Sequence, residues 1–232
     1  MEVALPRRAD LRPPSTTRYP IRFATDLKMA NILLGLMSHS STHPCSWCRA
    51  HRDNLKSNCD PRTLGNITEQ FWKFYQQNSS RTAAKRYDNV IHAPLLKGDA
   101  DQRVVEVLPP PELHLLLGIV NKIYNEMFKV WDGASLWSKH CFVERSAIIH
   151  GGSFDGNGCK RLLTRIDSLR AMCPLRCLRY VAVLDNFNLV VNSCFGVTLD
   201  PRFREHIAKF RDSYMALRIP VTPKVHAVFF SC

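Results

Sequence analysis

The stretch PPPELHLLLGIVNKIYNEMFKVW, residues 109–131, constrains the fold most. Leu113, Leu116, Leu117, Val120, Ile123, Tyr124, Phe128 and Trp131 recur along it at helical spacing and form one broad apolar stripe. The prolines at its head suit a first helical turn, where a missing N–H costs nothing. A helix with so wide an apolar face is stable only when other elements cover it, and the flanking sequence supplies them. Ile67, Phe71, Phe74 and Tyr75 share one helical face behind a cap at Asn66 or Thr68. Leu162, Leu163, Ile166 and Leu169 mark another helix, and Val183, Leu184, Phe187, Val190, Val191 and Cys194 the next. Pro201 starts a last one carrying Phe203, Ile207, Phe210, Tyr214 and Leu217.

The N-terminal part reads differently. Residues 1–20 are rich in Pro and Arg and form an irregular leader. Ile21–Thr25 alternates apolar and polar residues, the pattern of a short strand. Leu27, Ala30, Leu33, Leu34 and Met37 then repeat at helical spacing, with Thr25 or Asp26 placed as N-cap. Residues 38–65 are loop-like. The expected fold class is mainly α with a small α/β part at the start.

With 32 Lys and Arg against 20 Asp and Glu, the chain carries +12, which favours a polyanionic partner, nucleic acid first. A basic face that only confers solubility is the plainer alternative. No apolar run approaches the length of a membrane span, and MEVALPRRADLRPP lacks the apolar core of a secretory signal. Nine cysteines without a small-scaffold rhythm are expected to be reduced and mostly buried, with one pair available for metal. In that setting the acceptor patterns at Asn66 and Asn78 carry no glycan.

Cys45-x-x-Cys48 is the strongest local signal for chemistry. Two thiolates at this spacing form one half of a tetrahedral zinc site. The other readings are a redox pair, for which no thioredoxin-like helix start is evident, and two inert thiols. His43 and His51 are the local candidates to complete a metal site, but one short loop wraps four ligands round an ion poorly. A distant second half is expected, and His226 in IPVTPKVHAVFFSC is the candidate, though on its own it also reads as an ordinary histidine at a helix start. His114 reads as a core histidine. Asp26 is well placed for a metal-binding carboxylate and equally for a helix cap. The glycine-rich HGGSFDGNGCKRLL, residues 150–163, matches no nucleotide-binding loop and reads as a turn shaped by glycine.

Taken in order, TDLKMANILLGLMSHSSTHPCSWC, PPPELHLLLGIVNKIY, IHGGSFDGNGCKRLL and VTPKVHAVFF resemble successive blocks of transposase-like proteins of invertebrate genomes. These are similar in plan to cut-and-paste transposases with a ribonuclease-H-like core, including the catalytic subunit of the V(D)J recombinase. The resemblance runs from Ile21 to Phe230 and implies a division into a leader (1–20), a remnant strand and helix of that core (21–38), and a zinc-knuckle and helical insertion (39–232). It implies that Asp26 is the second catalytic aspartate, that Cys45 and Cys48 are the first half of a structural zinc site, and that His226 is the first histidine of the second half. It also implies DNA as partner, a nuclear location, scope for a homo-oligomer, and Mg²⁺ or Mn²⁺ as the cofactor of an intact ancestor. The departures are specific. Ser231 stands where a second histidine should, with Cys232 one residue off as a substitute thiolate. No closing glutamate follows, and only Asp10 precedes Ile21 as a first aspartate. Two-metal strand transfer needs several carboxylates. The expectation is therefore a fragment without activity of its own, or, from a different class, a non-enzymatic basic helical module with structural zinc.

Overall fold

The computed structural model describes residues 22–143, 153–196 and 198–230. The leader with Asp10, Ile21, the start of the glycine-rich loop, Ser231 and Cys232 lie outside them. Among the described residues the chain is mainly helical: α1 Leu27–Leu33, α2 Leu64–Gln76, α3 Val104–Val107, α4 Glu112–Val130, α5 Ala134–His140, α6 Gly156–Thr164, α7 Ile166–Met172, α8 Leu178–Cys194, α9 Phe203–Ala216 and α10 Pro223–Phe230.

Helix α4 is the hub, packed against α5, α6, α8 and α10. Contact on several sides explains why its buried set is Leu115, Leu116, Ile119, Val120, Asn121, Ile123, Tyr124 and Met127 rather than the single stripe expected from spacing. Leu113 and Phe128 of that stripe are exposed. Helix α8 makes its most extensive contact with α9, and α9 in turn packs on α10. Rings knit this corner together: Phe210 lies 5.0 Å from Phe187, 5.9 Å from Tyr214 and 5.5 Å from Phe229. Each such pair contributes about 0.5–1.5 kcal/mol beyond its buried area.

Several local expectations need correction. Among the described residues Arg22–Thr25 belongs to no strand, and Phe23 N–H is anchored on the Val107 carbonyl at 2.8 Å. Alternation alone makes no strand without a partner edge. Among the described residues β-pairing is confined to isolated bridges: Leu36 with Val90, Cys48 with Pro61, and Thr63 with Arg103. The cap of α2 is Thr63, whose Oγ1 accepts from Asn66 N–H at 3.1 Å, so the helix starts before the residues expected to cap it. The apolar run from Leu162 to Leu169 is broken at Arg165 into α6 and α7. The helix after Pro201 is not the last, because α10 follows.

The glycine-rich loop has a plain structural role where it is described. Asp155 caps α6, accepting from Gly158 N–H at 2.6 Å. Asn121 of α4 holds the loop by its backbone: its Oδ1 accepts from Phe154 N–H at 2.8 Å and its Nδ2 donates to the Phe154 carbonyl at 3.3 Å. The Phe154 ring is fully buried, edge-on to Tyr124 at 4.7 Å.

Candidate metal centre

The Cys-x-x-Cys lies in a loop that the fold immobilises from several directions. His39 bridges the carbonyls of Leu27 and Pro44, at 2.8 and 2.9 Å, tying α1 to the residue before Cys45. Ser46 donates to Asn31 Oδ1 at 2.8 Å, and Trp47 Nε1 donates to the Leu108 carbonyl at 2.6 Å. The loop then turns back on itself: Arg49 N–H donates to the Asp60 carbonyl at 3.0 Å, and Arg62 N–H to the Trp47 carbonyl at 2.8 Å. Cys45 and Cys48 are both buried as a result.

The other half arrives on α10. Thr222 heads this helix, its Oγ1 accepting from Val225 N–H at 3.4 Å and its carbonyl from His226 N–H at 2.9 Å. Pro223 takes the first helical position, where proline is favoured. Arg218, with φ of +56°, ends α9 in the left-handed region, and Tyr214 Oη donates to the Pro220 carbonyl at 2.9 Å. This turn directs α10 so that His226, fully buried, enters the knuckle.

Cys45 Sγ, Cys48 Sγ and a ring nitrogen of His226 all lie within 4.8 Å of one another. His226 Nε2 stands 3.0 Å from Cys48 Sγ, while its Nδ1–H donates to the Leu55 carbonyl at 2.8 Å. That second bond fixes the ring and directs Nε2 at the sulfurs, the arrangement found behind metal-ligating histidines. Electrostatics agree. The Cys45 thiol is held well below its ordinary range, first by its interaction with Cys48 and then, against the cost of burial, by His226. Cys48 is pushed up, by Cys45 and by burial. Burial works against charge on His226, yet the Cys45 thiolate outweighs it and raises the imidazole. Two soft thiolates and one imidazole form a donor set that could hold a metal ion and is compatible with tetrahedral zinc.

The residues expected from sequence separate cleanly. Cys45, Cys48 and His226 come together. His43 and His51 do not join them: His43 Nδ1–H donates to the Arg49 carbonyl at 3.1 Å, and His51 Nδ1 accepts from Asp53 N–H at 3.3 Å. His114 is half-buried on α4 and belongs to no ligand cluster. Asp26 is an exposed N-cap, its Oδ1 accepting from Met29 N–H at 2.7 Å, and that bond lowers its pKa. Among the described residues the cysteine–histidine cluster is the only gathering of three or more such ligands, so none forms around Asp26.

Three neighbours went unread in the sequence. Leu55 acts through its carbonyl and carries no side-chain signal. Arg62 is fully buried beside the site, its Nε donating to the Cys45 carbonyl at 3.1 Å. Cys59 lies two residues before Pro61, the residue bridged to Cys48. No protein-family model matches the chain, and no curated protein matches it.

Proposed function

We propose that the protein is a zinc-pinned, basic helical module of transposase descent that binds DNA in the nucleus through its phosphates and does not itself cut strands. The observation that carries this reading is the meeting of His226 with Cys45 and Cys48, two halves that the resemblance to transposase-like proteins pairs and that local sequence does not. In the ribonuclease-H-like plan the same pinning holds a helical insertion against a catalytic core. Zinc here would be held by Cys45, Cys48 and His226 and would supply structure, its binding energy becoming folding energy.

Two further observations support the remainder. Asp26, the one matched catalytic position, is engaged as a helix cap. Lys160, Arg161, Arg165, Arg176, Arg179 and Arg204 are exposed and pair with no carboxylate among the described residues, leaving cations on and beside α6, α8 and α9 for phosphate. The test is a DNA-binding titration at several salt concentrations, with a Mg²⁺ and Mn²⁺ nicking assay alongside. Log affinity should fall linearly with log salt, at a slope of about −0.9 per phosphate neutralised, with little dependence on sequence. No nicking should appear. Salt-indifferent binding, or none at low salt, would favour a module that docks on protein instead.

A further inference from the structure

Among the described residues the three gathered donors leave a tetrahedral ion one ligand short, and the position expected from the resemblance holds Ser231, a poor ligand. The hairpin register offers another. Cys48 pairs with Pro61 across an isolated antiparallel bridge, flanked by the hydrogen bonds Arg49 to Asp60 and Arg62 to Trp47. Side chains alternate along such a pair, so Cys59, two residues before Pro61, falls on the face that carries Cys48 and diagonally across from it. It is half-buried and packed against the core.

Charge gives an independent reason. The guanidinium of Arg62 is fully buried, yet its bonds go to neutral carbonyls: Nε to Cys45 at 3.1 Å and Nη2 to Asp88 at 2.9 Å. Its Nη1 has no partner. The carboxylate of Asp88 is bound to Arg49 at 2.7 Å. Arg49, Arg62 and Asp88 together therefore leave one positive charge in excess beside the thiols. Buried charges are retained when paired. Zinc with two thiolates and a neutral imidazole is neutral and offers Arg62 nothing. A third thiolate makes the centre singly negative.

We propose that Cys59 is the fourth ligand, making the centre a three-thiolate, one-imidazole zinc site whose negative charge is balanced by buried Arg62. This rests on the zinc-pinned reading above. Cys59 Sγ lies outside the group whose donor atoms are all within 4.8 Å of one another, so ligation requires the sulfur to move toward the other three donors. Ligation needs no redox step: the Cys59 thiol loses its proton to solvent as the sulfur–metal bond forms.

The test substitutes Co²⁺ for zinc in the full chain and reads the thiolate-to-cobalt charge-transfer band, whose intensity grows with the number of bound thiolates. The expected result is a three-thiolate band in the native chain that falls by about one third in Cys59→Ser and in Cys59→His, with binding still one ion per chain. A band unmoved by Cys59→Ser, whether of two thiolates or of three with Cys232 as the third, overturns the assignment of Cys59 and leaves the other three ligands standing. Failure of the native chain to bind Co²⁺ or Zn²⁺ overturns both readings. Alkylation of the native protein with iodoacetamide, mapped by mass spectrometry, serves independently of any variant. Half-exposed Cys59 should resist modification until zinc is chelated; ready modification with zinc bound overturns the proposal.

Discussion

Cys48 Sγ and His226 Nε2 stand 3.0 Å apart although 178 positions separate them in the chain. An ion at that junction closes a very long loop, and loop-closure entropy makes so distant a link costly to form without it. With zinc at a hundredfold excess over its dissociation constant, linkage adds about 2.7 kcal/mol to unfolding free energy. That increment should vanish in Cys48→Ala and in His226→Ala alike, with zinc content falling in both. In His51→Ala zinc content should be unchanged, because that ring caps a surface turn. Denaturant unfolding with and without chelator, beside metal analysis, reads all three.

Acid should release the ion. Zinc requires a neutral imidazole and deprotonated thiols, so protons compete for every donor atom, and bound zinc contributes stability that is lost as pH falls. In the metal-free protein the sign for His226 reverses. Its raised pKa contributes stability that is fully present below the unfolded value and is lost as pH rises through the folded one. A pH series of thermal midpoints, run with zinc and with chelator, should therefore diverge toward higher pH. Parallel curves would count against metal at this site.

Asp26 separates a cap from a catalyst. Asparagine caps as well as aspartate does, whereas alanine does not. Asp26→Asn should leave α1 intact and Asp26→Ala should fray it, seen as faster amide exchange at Met29, whose N–H meets Asp26 Oδ1. DNA affinity should be the same for both variants. Metal-dependent nicking by the native chain that disappears in Asp26→Asn would restore the catalytic reading.

Asn121 should be among the most sensitive positions outside the metal centre. Its amide satisfies both backbone groups of buried Phe154. Asn121→Leu keeps the volume and removes both bonds, for an expected loss of about 2–4 kcal/mol in unfolding free energy. A loss below about 1 kcal/mol would mean that water or a rearranged loop replaces the amide.

What the sequence made legible follows from the range of each signal. Helical periodicity is local, so the helices rich in apolar residues were readable, and Asp26 as a cap needed only the three residues after it. Breaks and faces were less so. Arg165 interrupts a run whose buried residues continue smoothly across it, and the faces of α4 depend on how many helices surround it. His226 was a candidate for a distant second half and was matched to the cysteines by the ordered resemblance, since no local feature sets it apart from a histidine at a helix start. Cys59 had neither help. It sits eleven residues beyond Cys48, outside the ligand spacing, and only the hairpin register brings it back. Arg62 was hidden for another reason: a lone arginine after a proline looks solvent-exposed until the fold closes over it.

The separation of the two halves also sets an order of events during synthesis. Cys45 and Cys48 emerge from the ribosome long before His226 exists, and at ordinary translation rates the intervening 178 positions take roughly 10–35 s to make. Through that interval the knuckle has its thiols but no imidazole, while α4 and its neighbours already have their apolar surfaces to bury. On the zinc-pinned reading proposed above, metal capture by the complete site is then the closing event of folding, and zinc supply decides whether a newborn chain locks shut or lingers with reactive thiols exposed to oxidants.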